Sequence, residues 1–353
     1  MVEAGTYTRT EIFSQPEAWA ATLQQLNGLR AEISAVVQQN NVQAVLFTGC
    51  GSTYYLAVAA AAVCQQLTGI PSRGLPASEI WLYPDSAYNP SQSTLLVAVS
   101  RSGETTETLR AVEAFKARGQ GQVMTLSCYG EMPLATAGDL NLVLDAGQEQ
   151  SVAQTRAFSV LYLGTVFLAA LWAGKTDLLE AMNQLPDAGT RLLATYAERA
   201  KALGSDLTLD RFYLLGSGLR YGLAAEVSLK LKEMSLSHSE PFHFLEYRHG
   251  PMSMVTPKTL IYGMVSEANR DAEALVLREM GARGAQILSL GEAGTDVVFQ
   301  SGVPEAVRNV LYLPVAQLIA FERSLAKGLN PDRPNNLETV VRLDGNGHAT
   351  QPA

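Results

Sequence analysis

With 353 residues, 47% of them apolar and 17% charged, the chain is long enough for two globular domains with substantial buried sheet. Its net charge of −8 supplies no basic field, which argues against a nucleic-acid or anionic-membrane partner. A small anionic substrate is still admissible, because a local nest of backbone N–H groups can outweigh global charge.

Glu17 to Gln39 has helical periodicity. Val42 to Thr48 then reads as a strand, Gly49-Cys50-Gly51-Ser52 as a turn, and Thr53 to Leu67 as an Ala-rich helix. Leu95 to Val99 and Val123 to Cys128 are further strands, with Thr105 to Arg118 as the helix between them. Strands alternating with helices imply right-handed βαβ units and a parallel sheet. Val152 to Trp172 and Leu178 to Leu203 read as long bridging helices. The longest apolar stretch, Val160 to Ala173, contains Gly164 and is too short to span a bilayer comfortably.

The second half repeats the first. Arg211-Phe212-Tyr213-Leu214-Leu215-Gly216-Ser217-Gly218 echoes Ala44 to Gly51, and Leu260 to Val265 with its following helix echoes Leu95 onward, at an offset of about 165 residues. The expected layout is an N-terminal helical segment over 1–40, a first domain over 41–175 and a linking helix over 176–204. A second domain over 205–330 and a tail over 331–353 complete it. Gly216-Ser217-Gly218 with Gly222 has GxGxxxG spacing and no acidic residue closing a second strand, so no nucleotide cofactor is expected.

Three cysteines (Cys50, Cys64, Cys128) in or beside apolar segments, without a CxxC pair, fit reduced buried thiols in the cytosol. The four histidines lack metal-ligand spacing, so no metal is expected. Glu3 and Glu11, with no apolar run between them, do not make a signal peptide, and a cytoplasmic location is expected.

Two stretches carry chemistry. Ser100-Arg101-Ser102-Gly103-Glu104-Thr105 follows a strand and opens a helix, where first-turn N–H groups and the helix dipole favour an anion. Ser100, Ser102 and Thr105 would add neutral donors. An ordinary Ser/Thr helix cap accounts for the same residues. The second copy has Ser266-Glu267-Ala268-Asn269-Arg270 there, which puts carboxylate where the first copy has hydroxyls and would repel phosphate. The other stretch is Glu226, Lys230 and Glu233, at i, i+4 and i+7 on one helix face, with Lys232 on another. A solvated ion-pair ladder would look alike. However, the apolar neighbours Ala224, Ala225, Leu229, Leu231 and Met234 imply burial, and the following loop, Glu240 to Pro251, crowds His243, Glu246 and His249 among aromatics.

With these motifs, the chain resembles the sugar isomerase (SIS) domain family over nearly its whole length. The resemblance rests on Thr48-Gly49-Cys50-Gly51-Ser52-Thr53, Ser100 to Thr105, Ser151-Val152-Ala153-Gln154-Thr155-Arg156-Ala157-Phe158, Leu229 to Glu233, and Glu246-Tyr247-Arg248-His249-Gly250-Pro251. It is nearest to the isomerase half of glucosamine-6-phosphate synthase and to stand-alone amino-sugar-phosphate deaminases and isomerases. It implies an α/β fold of two tandem flavodoxin-like domains, each a parallel sheet flanked by helices.

By the same resemblance, Ser100, Ser102 and Thr105, with Ser52, Thr53 and Arg101, would hold the 6-phosphate of a hexose. Glu233 would be the base moving a proton between C1 and C2, and Lys230 would contact the open-chain sugar. His249 would open the ring, reaching in from the partner of a homodimer with a shared active site. Val152 and Gln154 would lie along the sugar. No cofactor is implied.

Two departures separate the chain from the synthase: no glutaminase domain is expected before Met1-Val2-Glu3, and Thr339 stands where the synthase has its Schiff-base lysine. The catabolic direction is therefore expected, from glucosamine-6-phosphate to fructose-6-phosphate and ammonia. A fructosamine-phosphate deglycase using Phe242, Phe244 and Tyr247 as a pocket, a glutamine-independent phosphosugar isomerase, and a phosphosugar-sensing module are the alternatives.

Overall fold

A computed structural model describes residues 3–39, 41–119 and 121–344. The first sheet holds β1 (Ala44–Gly49), β2 (Ser72–Pro76), β3 (Thr94–Ser100), β4 (Val123–Ser127) and β5 (Leu140–Val143). All its pairings are parallel, in the order β2-β1-β3-β4-β5. The second holds β6 (Arg211–Leu215), β7 (His238–Phe242), β8 (Thr259–Met264), β9 (Gln286–Gly291) and β10 (Val297–Val298). It is also parallel, in the order β10-β9-β8-β6-β7. Read from β7, this is the order of the first sheet, so the repeat seen in the sequence is a repeat of topology. Both are flavodoxin-like, with the chain reversing direction across the sheet between β1 and β3 and between β6 and β8.

The chain groups into two compact units that interleave along the sequence. One comprises Met1–Glu17, Glu149–Thr155 and Ala181–Leu337, and the other Ala18–Gln148, Arg156–Glu180 and Glu338–Ala353. In the unit of the first sheet, β3 is buried along its whole length, as a strand covered on both faces should be. The Ala-rich helix Ser52–Thr68 packs against Arg156–Trp172, whose residues Ala157 to Ala170 are all buried. That apolar run is core. Among the described residues no helix is long and apolar enough to cross a membrane. In the other unit, Leu185–Ser205 packs along Leu313–Ala326, and Tyr213, Phe244, Tyr247, Ile261 and Val276 form a core beside the sheet.

Differences from the sequence reading are local and have physical causes. The span Glu17 to Gln39 is two helices, Gln15–Gly28 and Arg30–Gln39, broken after the weak helix formers Asn27 and Gly28. Leu178 to Leu203 divides into Thr176–Ala181 and Leu185–Ser205. Pro186, lacking an N–H, can only sit in an opening turn. The helix expected from Val152 begins at Arg156, because residues 150–152 are held by other partners. The four outer strands, β2, β5, β7 and β10, were not apparent as strands. Pro76 and Pro241 within β2 and β7 are tolerated because an edge strand leaves one side unpaired.

Tyr262 and Tyr312 are buried, the first donating to the Tyr312 carbonyl at 2.6 Å and the second to the Val265 carbonyl at 2.6 Å. Burial pushes both phenols above their ordinary range. Above about pH 10 the unfolded chain loses protons that the native state keeps, so stability falls as pH rises, by up to about 1.4 kcal/mol per pH unit per group. Urea midpoints measured from pH 8 to 11 should therefore decline, and the decline should flatten in Tyr262→Phe. An unchanged slope in that variant would contradict the buried phenol.

Candidate active site

In the unit of the first sheet, the turns after β1 and β3 leave neighbouring carboxyl ends of parallel strands, where open α/β sheets bind ligands. Ser100, Arg101 and Ser102 are buried. The hydroxyls converge: Ser100 Oγ lies 3.2 Å and Ser102 Oγ 3.5 Å from Thr105 Oγ1. Within the turn, Gly103 N–H donates to Ser100 Oγ at 3.1 Å and Glu104 N–H to Ser102 Oγ at 3.4 Å. Gly103 has φ +72°, and a Cβ there would meet Met132 Cβ at 2.9 Å, so glycine is required.

Thr105 is the residue before helix Thr106–Ala117, yet its side chain makes no capping hydrogen bond. The hydroxyl turns to Ser100 and Ser102 instead. An ordinary cap would aim it at the helix N–H groups; here the hydroxyls form a cluster beside them.

Ser52 and Thr53 begin helix Ser52–Thr68 and are buried. The Thr53 hydroxyl is committed to its own turn, accepting from Cys50 N–H and donating to the Cys50 carbonyl, both at 2.9 Å. Gly49 makes that fold-back possible, since a Cβ would stand 2.4 Å from Thr53 Oγ1. Burial pushes the adjacent Cys50 thiol up to about 11, so this cysteine is no thiolate nucleophile. Arg101 Nη2 donates to the Thr339 carbonyl at 3.1 Å, so the tail meets the turn. Arg342 pairs with Glu104 at 2.7 Å, and Leu343 N–H donates to Thr106 Oγ1 at 3.0 Å.

The other unit carries the acidic helix, Tyr221–Ser235. Lys230 Nζ stands 2.5 Å from Glu233 Oε2 and 3.3 Å from Glu226 Oε1. Glu226 is 0% and Lys230 1% exposed, whereas Glu233 keeps 20%, so the ladder is a buried ion-pair cluster with one accessible carboxylate. Lys232 points elsewhere, donating to Ser228 Oγ at 3.1 Å. Burial disfavours the Lys230 charge, but Glu226 and Glu233 outweigh it and hold the ammonium above the ordinary lysine range.

The same unit positions Val152 and Gln154 through contacts that the sequence reading missed. Glu11 accepts from Gln150 N–H at 2.6 Å and Ser151 N–H at 3.1 Å, while the Asp332 carbonyl accepts from Val152 N–H at 3.0 Å. Asp332 is itself anchored by Thr8 N–H at 2.8 Å and Thr8 Oγ1 at 2.7 Å. Gln154 Oε1 is buried with no hydrogen-bond partner among the described residues. These partners lie more than a hundred residues apart in the chain, so no local signal marks them.

His249 is exposed, and among the described residues its side chain makes no hydrogen bond or ion pair. It follows a short turn, Glu246–Arg248, pinned by the Arg248–Glu279 pair at 2.8 and 2.9 Å. His243, which the sequence reading gave no role, stacks on Tyr221 at 4.1 Å between ring centroids, and burial lowers its pKa. Phe244 and Tyr247 are buried core residues, and Phe242, partly buried, packs against them.

Comparison with known proteins identifies the family and the fold. The SIS domain family matches residues 40–171 and 209–317. A glutamine–fructose-6-phosphate aminotransferase (isomerizing) of Pyrobaculum aerophilum is 31% identical over 95% of this chain, and that of Bordetella parapertussis 29% over 96%. The chain spans 57% and 58% of the lengths of these two relatives. Among solved structures, glucosamine-6-phosphate deaminase from Thermotoga maritima superposes with a TM-score of 0.76 at 28% identity, covering 91% of this chain and 99% of that one. Tagatose-6-phosphate ketose/aldose isomerase from Escherichia coli shares the fold, with a TM-score of 0.84 at 22% identity, covering 93% and 96%. With two matched segments, each holding one of two topologically equivalent parallel sheets, the chain belongs to the SIS domain family.

Proposed function

We propose that this protein is an amino-sugar-phosphate isomerase and deaminase that converts glucosamine-6-phosphate and water to fructose-6-phosphate and ammonia. The observation that carries the reading is Glu233, a partly exposed carboxylate held at 2.5 Å by a lysine that is otherwise sealed from solvent. A sensor would have no use for an oriented base over a buried ion pair.

The phosphate is assigned to Ser100, Ser102 and Thr105, with Ser52, Thr53 and Arg101 around them. Hydroxyl and N–H donors at a helix N-terminus suit a dianion without a lysine. Binding energy gained there is remote from the reacting carbons and serves orientation. Val152 and Gln154 are assigned to the sugar hydroxyls, the unpartnered Gln154 Oε1 being an acceptor in need of a donor.

Glu233 takes the C2 proton of the open-chain amino-aldose and returns a proton to C1, while an amine proton passes to the C1 oxygen, leaving an imine at C2 and a hydroxyl at C1. Water adds to that carbon, the C–N bond breaks, and nitrogen departs as ammonia. Lys230 keeps the carboxylate in place and presents positive charge to the sugar oxygens. His249 is assigned to ring opening; its exposure and its lack of partners among the described residues fit delivery to a partner subunit in a homodimer. The reaction is placed in the cytoplasm.

The direct test is purified protein with glucosamine-6-phosphate, following ammonia and fructose-6-phosphate together. Equal amounts of both are expected. Interconversion of an aldose phosphate and a ketose phosphate without ammonia would make the protein a plain phosphosugar isomerase. Tight binding with no solvent exchange at C2 would make it a sensor.

A further inference from the structure

The second domain keeps the backbone of an anion site. The turn after β6 presents Arg220, and the turn after β8 presents the N–H groups of Ser266 to Asn269 ahead of helix Arg270–Ala282. These are the topological equivalents of the turns that carry Ser52 and Ser100 to Thr105 in the first domain. The sequence alone suggests that the acidic residues here only repel phosphate.

The structure shows something more specific. Glu305, from the loop before the last long helix, places its carboxylate into this nest. Its Oε1 accepts from Arg220 Nη1 at 2.8 Å and from Glu267 N–H at 3.3 Å, and its Oε2 from Ala268 N–H at 3.4 Å. Arg220 is 4% exposed, and its Nε has no hydrogen-bond partner among the described residues. Glu273 lines the floor, accepting from Ser266 N–H at 2.6 Å, with Arg220 Nη2 at 4.0 Å. Glu267 is turned away by Arg308, whose Nη2 lies 3.0 Å from it.

A guanidinium and two successive backbone N–H groups around one carboxylate is the donor set that otherwise takes a phosphate or sulfate. We propose that the second domain retains a complete oxyanion site occupied internally by Glu305, and that removing this carboxylate opens it to a phosphate monoanion or dianion. Each chain then offers one external phosphate site, although the fold supplies two. Glu273 stays outside the exchange, bound by Ser266 N–H and 4.0 Å from Arg220 Nη2. The template for this site rests on the proposed phosphate role of the first domain's turn.

The test is the stoichiometry of inorganic phosphate binding, by equilibrium dialysis, in the full chain and in Glu305→Ala. The variant should bind one more phosphate per chain than its parent, and adding Arg220→Gln should abolish the gain. If the first domain's turn binds no phosphate, both counts fall by one and the difference persists, so the two readings fail separately. Equal counts in parent and folded variant would overturn the proposal. Hydrogen exchange in the unsubstituted protein checks the internal occupant without any variant: the Glu267 and Ala268 amides should be protected, and rapid exchange at both would overturn the proposal by showing that Glu305 does not hold them.

Discussion

Glu233→Gln should lower the rate of C2 proton exchange by about 10²- to 10⁴-fold, the usual contribution of a positioned general base. The amide cannot take a proton, yet it has nearly the carboxylate's shape. Lys230 keeps its second partner, Glu226, at 3.3 Å, so the helix should stay intact. The loss should therefore fall on kcat, with binding of a phosphate ester changed little, because the phosphate turn belongs to a different part of the sequence. The measurement is deuterium incorporation at C2 alongside affinity for a non-reacting hexose phosphate. Retained exchange would refute the assignment of Glu233 as base, whatever happens to affinity.

Glu226→Leu should have the largest effect on stability, about 3 kcal/mol, at the low end for breaking a buried pair because Glu233 remains to Lys230. The cost comes from the ammonium left behind. Lys230 is 1% exposed and cannot reach water, so the variant must either hold a charge with one partner or release its proton. Replacing both residues, Glu226→Leu with Lys230→Met, should recover most of the loss, since the desolvation penalty goes with the charge. Urea unfolding of the two single variants and the double variant measures the coupling. A loss below about 1 kcal/mol in Glu226→Leu would mean that the pair contributes no more than a surface ion pair does.

The contrast between these two carboxylates shows how far the sequence could be read. Spacing alone put Glu226, Lys230 and Glu233 on one face and Lys232 on another, because the helical period is a local property. It could not say which glutamate is sealed and which is accessible. That depends on what packs over the first turns of helix Tyr221–Ser235. The Ser100 to Thr105 turn was legible as strand, hydroxyl-rich turn and helix start. Whether Thr105 capped the helix or joined a hydroxyl cluster was settled by the direction of one side chain.

Central strands were visible as apolar runs because both their faces are covered. The edge strands β2, β5, β7 and β10 are short, β10 being only Val297–Val298, and β2 and β7 carry proline, so composition alone does not separate them from loops. The supports of the Val152 and Gln154 segment, Glu11 and Asp332, were invisible for another reason. Their partners are brought together by the chain path, and nothing near Glu11 in sequence announces Ser151.

By itself the sequence determined the duplicated α/β architecture, the central strands, the anion-favouring turn and the acidic helix, because each is encoded by periodicity or by contiguous residue chemistry. Only the tertiary structure decided how those parts are used. It sealed Lys230 between two carboxylates, turned Thr105 away from its cap, and filled the second domain's N–H nest with Glu305. Each of these outcomes turns on which partner a polar group meets once the chain is folded, and burial makes an unmet polar atom costly.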